Sequence, residues 1–304
     1  MKKVTVVAIN FNREDVTFAW LDSMQKIKTS GFTFDIVIVD NASKKPFQLS
    51  KNQQKENIHV LRSEENTGFT GGNNIGLTFA LEHGADYIMI INNDTIVDPD
   101  MIKNLFEVLE SDPKIGVSTP KIYFAKGHEF HKVRYKKEDL GKVFWYAGGH
   151  TDWANVKSVH RGVDEVDRGQ YNKNEQVSFA SGCCMLFKRE VLEKVGLLDE
   201  KYFLYFEDAD INERIQRAGY TISYVPKAVL WHINAASSGG SGNQLQDYFL
   251  TRNQMLFGMK YAPLRTKFAL LRQSFRYLLN GRPKQKQGIR DYYFGRLGKG
   301  TYFN

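Results

Sequence analysis

Short apolar runs that each stop at a polar cluster constrain this chain more than any other feature. Residues 4–9, 34–39, 58–61 and 87–91 read as buried strands. The first stops at Asn10, Phe11 and Asn12, the second at Asp40 and Asn41, and the fourth at Asn92, Asn93 and Asp94. Between them Val16, Trp20, Met24 and Ile27 recur near the helical period, and a second helix is predicted to run through His83. Apolar strands alternating with helices imply a mostly parallel sheet with flanking helices. Ligands of such sheets bind at the carboxyl ends of the strands, where these polar clusters fall. Strand ends also need polar turn formers, so one cluster taken alone decides nothing.

At 304 residues the chain can hold one large domain or two small ones. Residues 125–175 are polar and aromatic with weak periodicity and read as an inserted loop region. A strand is predicted over 177–187, a helix from Arg189, and helical pattern over 208–218 and from about 245 to 280. The cysteines, Cys183 and Cys184, are adjacent; neighbouring strand residues face opposite ways, so they read as two small buried hydrophobes rather than a disulfide. The N-terminus enters a strand without a signal-peptide core, and no apolar run approaches the ~18–20 residues of a membrane span. A cytoplasmic location is the expectation.

Three further stretches could carry chemistry. The loop from Asn66 through Gly68, Gly72 and Asn73 lacks the glycine spacing of a dinucleotide site and follows the third strand, not the first, so hydride transfer is not expected. Its backbone N–H groups and following helix could meet an anion or nucleotide, or simply make a tight turn. Glu207, Asp208 and Asp210 crowd the start of a helix after an aromatic run, and a carboxylate there could act as a general base. Asp94 offers hard oxygen chemistry suited to Mg²⁺ or Mn²⁺, and His232 ends another apolar stretch.

As an ordered set, the segments at Asn10–Asn12, Asp40, Asn66–Asn73, Asn92–Asp94 and Glu207–Asp210 resemble family 2 inverting glycosyltransferases of the GT-A fold. Residues 182–220 and the pair Arg252-Asn253 resemble the rhamnosyltransferase-like members that build cell-surface polysaccharides. The resemblance implies a catalytic domain over 1–255, with a nucleotide-binding half (1–124) and an acceptor half (125–255), followed by a basic helical extension (256–304). It implies that Asp40 meets the nucleoside beside Asn10, Phe11 and Asn12, with Asn66, Gly68, Gly72, Asn73 and Asn93 also on the donor. Asp94 would bind the metal, Mn²⁺ or Mg²⁺, with His232 completing the site; Asn92 stands where the family's motif has its first acid. Asp208 would be the catalytic base, Glu207 would shape the acceptor site, and Arg252 would reach the diphosphate. Tyr146, Gly149, Asp152, Trp153 and Asp210 are expected near the donor sugar or acceptor. The implied partners are a dTDP- or UDP-sugar, dTDP-rhamnose first, and a saccharide or lipid-linked acceptor.

Charge adds one more partner. From Lys260 onward eleven Lys and Arg face one acid, Asp291, so this tail holds more than the whole net charge of +8. Phe268, Leu271, Phe275, Tyr277 and Leu278 lie among Arg265, Lys267, Arg272, Arg276 and Arg282, a pattern that suits an anionic membrane surface or an ordinary solvated helix. A sugar-nucleotide nucleotidyltransferase would carry a Gly-rich basic loop after the first strand, which is missing. A nucleic-acid-binding protein would leave the acid cluster idle; no nucleic-acid partner is expected.

Overall fold

The structure is a computed structural model and describes residues 1–233 and 243–303. Its four predicted strands, β1 (Lys2–Asn10), β2 (Phe32–Asn41), β3 (Ile58–Ser63) and β4 (Tyr87–Ile91), form a parallel block. β1 lies between β2 and β4 and pairs in parallel with both, and β3 adds beyond β2. Val4, Val6, Val37, Ile38 and Ile90 are fully buried, as strands covered on both faces require. α1 (Glu14–Met24) and α2 (Gly68–Glu82) are the crossovers. A Cβ on Gly76 of α2 would stand 2.2 Å from Val7, so glycine is what lets this helix lie close on β1.

The sheet continues past β4 with strands the periodicity leaves unmarked. β5 (Thr95–Val97), α3 (Met101–Ser111) and β6 (Ile115–Phe124) precede the segment expected to be a loop. That segment instead holds β7 (Phe144–Tyr146), β8 (Gly149–Asp152), β9 (Lys157–His160) and the start of β10 (Glu175–Val177), each too short to show a period. The strand expected over 177–187 is confined to β11 (Cys184–Lys188), which inserts antiparallel between β4 and β6. α4 (Arg189–Val195) and α5 (Glu207–Arg217) lead to β12 (Thr221–His232), parallel to β6. The order is β10-β12-β6-β11-β4-β1-β2-β3, a mostly parallel mixed sheet flanked by helices.

The helical stretch expected over 245–280 is two helices. α6 (Gln244–Tyr261) ends at Ala262-Pro263, where the proline ring sets an extended approach, and α7 (Leu264–Asn280) begins directly after it. α8 (Pro283–Tyr293) follows. The division expected at residue 255 falls inside α6, and Met255, Phe257, Leu270 and Ile289 join the same buried cluster as the sheet. The last residues fold back on the body: Thr301 donates to Asp291 Oδ2 from its N–H at 2.9 Å and its hydroxyl at 2.6 Å. Cys183 and Cys184 are buried free thiols.

Candidate active site

The carboxyl ends of β1, β2 and β4 are tied by one polar relay. The Asn93 amide donates to Thr17 Oγ1 at 2.7 Å, and the Thr17 hydroxyl donates to Asn10 Oδ1 at 2.8 Å. The Asn10 amide donates in turn to Ser43 Oγ at 3.1 Å and Asp40 Oδ1 at 3.4 Å. Asp40 also receives the N–H groups of Ser43 and Phe47 and a guanidinium N–H of Arg62. Burial pushes its carboxyl upward, but the Ser43 hydroxyl, the two N–H groups and Arg62 prevail and hold it below the usual carboxylate range. Asn12, at φ 55°, receives the Lys44 N–H at 2.8 Å, and Phe11 beside it is exposed. Thr17 and Arg62 were not marked as site residues, since their links to Asn93 and Asp40 span 76 and 22 residues.

Asp94 follows β4, and His232 closes β12. His232 Nε2 lies 3.1 Å from Asp94 Oδ1. That is hydrogen-bond distance, and an imidazole nitrogen beside a carboxylate is also a donor set that Mg²⁺ or Mn²⁺ could take. Among the described residues no group of three or more His, Cys, Asp or Glu could hold a metal, so water and substrate phosphate would supply the other ligands. Trp145 meets His232 edge-on at 4.7 Å between ring centres, with His160 on its other side at 4.5 Å. Burial depresses His160 to about 4, so that ring stays neutral at physiological pH.

The acid pair stands at the start of α5 on a strained approach: Phe203, Tyr205 and Phe206 have φ of 64°, 67° and 72°. That loop is clamped from α6, where Asn253 donates to the carbonyls of Tyr202, Leu204 and Tyr205 at 2.9, 2.8 and 2.8 Å. Asp208 Oδ2 receives the Gly182 N–H at 3.1 Å, and Asp208 Oδ1 receives the Ala209 N–H at 2.8 Å. The carbonyl of the next residue, Cys183, accepts the Asn92 N–H at 2.9 Å, so consecutive residues bind Asp208 and the metal-side turn. Burial lifts the Asp208 carboxyl above its ordinary range against those two N–H donors. Glu207 is more deeply buried, its Oε2 has no hydrogen-bond partner, and burial followed by the Asp208 charge pushes it well above the usual range.

Residues 5–196 match the sequence profile described as Glycosyl transferase family 2. The chain belongs to glycosyl transferase family 2. It is similar to the low-salt glycan biosynthesis hexosyltransferase of Haloferax volcanii, 24% identical over 73% of this chain and 66% of that protein. The N-acetylglucosaminyl-diphospho-decaprenol L-rhamnosyltransferase of Mycobacterium tuberculosis is likewise 24% identical, over 67% of this chain and 68% of that one. The chain thus spans about two thirds of the length of these curated relatives. Its fold is similar to that of the solved GalNAc-T7 with UDP, GalNAc and Mn²⁺, at TM-score 0.60 and 16% identity over 97% of this chain and 57% of that one. The sheet is that of a GT-A glycosyltransferase.

Several expected site residues serve the framework of this family 2 glycosyltransferase. Arg252, expected at the diphosphate, is fully buried; its guanidinium donates to Asn253 Oδ1 at 2.9 Å and to the carbonyls of Tyr202 and Lys201 at 3.0 and 3.3 Å. Asp210 is also buried, with Tyr202, Lys260 and Tyr261 donating to Oδ1 and Arg214 to Oδ2. Gly68 and Asn66 pin the turn: the Gly68 N–H donates to Asn66 Oδ1, and the Thr70 N–H donates to Phe203 O. Gly72 lies against Ile9, and the Asn73 amide donates to Phe69 O. The Thr70 and Gly72 contacts join α2 to the strained loop and to β1, while the Asn73 bond stays within α2. Tyr146 is buried and donates to Phe179 O at 2.7 Å, and Gly149 abuts Phe179. Asp152 caps the turn of β8–β9, while half-buried Trp153 stacks on Phe257, which touches Phe206 beside the acid pair.

Proposed function

We propose that this protein is an inverting, metal-assisted glycosyltransferase that moves a sugar from a nucleoside-diphosphate sugar to a saccharide hydroxyl. One observation carries the reading: Asp208, with a raised pKa, is held by Gly182 immediately beside the residue that fixes the turn bearing Asp94. A base whose pKa is lifted toward neutrality accepts a hydroxyl proton more effectively than an ordinary carboxylate.

In the proposed reaction Asp208 takes the proton of the acceptor hydroxyl as that oxygen attacks the anomeric carbon opposite the diphosphate. The C–O bond to the diphosphate breaks with its electron pair leaving on the phosphate oxygen, so one displacement inverts the centre. Burial and the Asp208 charge push Glu207 upward, which disfavours a second negative charge beside the base. Asp94 and His232 would hold the divalent cation, Mn²⁺ or Mg²⁺, which would offset negative charge on the leaving diphosphate. The Asn10–Asp40–Arg62 network shapes the nucleoside end.

For the donor we favour dTDP-rhamnose, with UDP-sugars second, and for the acceptor a saccharide or lipid-linked saccharide of a cell-surface polysaccharide. The mycobacterial relative, named for rhamnosyl transfer to a diphospho-decaprenol-linked sugar, supports both. A nucleic-acid role would leave the Glu207 and Asp208 pair without a task. A thermal-shift series with dTDP-, UDP- and GDP-sugars, with and without Mn²⁺, tests the reading, since a ligand of the native state raises Tm. Metal-dependent stabilisation by dTDP-rhamnose above the others is expected; stabilisation by none of them would contradict it.

A further inference from the structure

Unpaired cations and a stripe of exposed apolar side chains coincide on one helix of the C-terminal region. Leu264, Phe268, Phe275 and Leu279 of α7 are 73%, 70%, 61% and 74% exposed. With 3.6 residues per turn their spacing places all four within an arc of about 60°. Half-buried Leu271 borders the same stripe, while Leu270 and Ser274 on the far side pack into the body. Arg265, Arg272 and Arg276 fall along one margin of the stripe and Lys267 along the other, and α7 contains no acid. Among the described residues none of these four side chains enters an ion pair or hydrogen bond, whereas Lys260, Arg282 and Arg296 elsewhere in the tail are each paired with an acid.

We propose that α7 docks this protein on an anionic lipid bilayer. The helix lies along the surface with Leu264, Phe268, Phe275 and Leu279 in the acyl boundary and its four cations among the headgroups. It does not span: no helix among the described residues is long and apolar enough to cross a membrane. A second copy of the chain is a poorer occupant, because two α7 faces would bring cations against cations with no acid between them. Nucleic acid suits the cations but not an apolar stripe running between them. This surface is independent of the proposed reaction, so failure to find transfer would leave it standing.

Co-sedimentation of the full chain with vesicles tests the surface. Phosphatidylcholine vesicles containing phosphatidylglycerol should bind the chain at low salt, and pure phosphatidylcholine vesicles should bind it at least about tenfold more weakly. High salt should release most of it. Phe268→Ser/Phe275→Ser and, separately, Arg272→Gln/Arg276→Gln should each lower binding to anionic vesicles by at least about tenfold, with Tm and nucleotide-induced shifts unchanged. Equal binding by a variant that melts like the wild type would overturn the proposal. So would failure of the wild-type chain to bind anionic vesicles, which needs no variant at all. A wild-type dimer that the Phe variants dissolve, without vesicle binding, would assign the face to a second copy and likewise overturn it.

Discussion

The backbone N–H of Gly182 donates to Asp208 Oδ2 across 3.1 Å, and that contact orients the acid at the start of α5. It does so from a turn, closed by the Cys184 N–H on Ser181 O at 3.1 Å, that also receives the Asn92 N–H on the Cys183 carbonyl. The base and the metal-side turn are therefore set by the same few peptide units, while the loop behind Asp208 is set separately by α6.

The acid pair gives a pH signature. Burial raises Glu207 well above its ordinary range, so the folded chain keeps a proton that the unfolded chain releases. Stability then falls as pH rises from the unfolded carboxylate value, ~4.3, toward the raised folded value. Glu207→Gln removes that group's share, and thermal melts over a pH series should show a shallower decline and a higher Tm than wild type at neutral pH. Asp208, raised in the same direction, leaves a residual slope. Parallel declines in the two proteins would show that Glu207 is already ionised in the fold.

Asp94 and His232 should matter through the ion alone. Asp94→Asn is expected to remove on the order of tenfold or more of Mn²⁺-dependent nucleoside-diphosphate affinity, with metal-free binding near wild type. Calorimetric titration with and without Mn²⁺ reads both numbers. A chelator should reproduce the loss in the wild-type protein. Equal metal response in the variant would move the site elsewhere.

Asn253 is predicted to position the catalytic loop without touching substrate. Alanine there removes one donor each from the carbonyls of Tyr202, Leu204 and Tyr205, of which Tyr202 keeps Arg252. The expected destabilisation is about 1–3 kcal/mol. Because the released loop carries Glu207 and Asp208, kcat should fall more than donor KM changes. An unchanged Tm, or a loss confined to KM, would contradict this role.

Gly68 is expected to tolerate no side chain. Its φ is +74°, and a Cβ would stand 2.4 Å from Phe203 O. Gly68→Ala should cost about 2 kcal/mol or more, combining left-handed strain with displacement of the 203 loop. Chemical denaturation measures it, and a near-neutral result would mean that the loop shifts freely.

The parallel half of the sheet was legible because buried strands need unbroken apolar runs, as residues 4–9 and 87–91 show. β7 to β10 were not, since strands of three or four residues carry no period. In the site, clustering drew attention to Glu207, Asp208 and Asp210 together, but the sequence could not separate the acid that meets four donors from the pair beside it. Arg252 shows the same limit: a long cation reads as an anion ligand until its guanidinium is seen to hold backbone carbonyls. Conversely Thr17 and Gly182 act through one hydroxyl and one N–H, which no composition or spacing marks.

The most direct test of Asp208 as the base pairs two readings on Asp208→Asn: turnover with a nucleotide-sugar and its acceptor, and binding of the same donor. The amide keeps the size of the side chain but cannot accept the hydroxyl proton. Turnover should fall by about 10²–10⁴-fold with donor affinity within about twofold of wild type. Turnover near the wild-type rate, with the donor bound normally, would contradict the account.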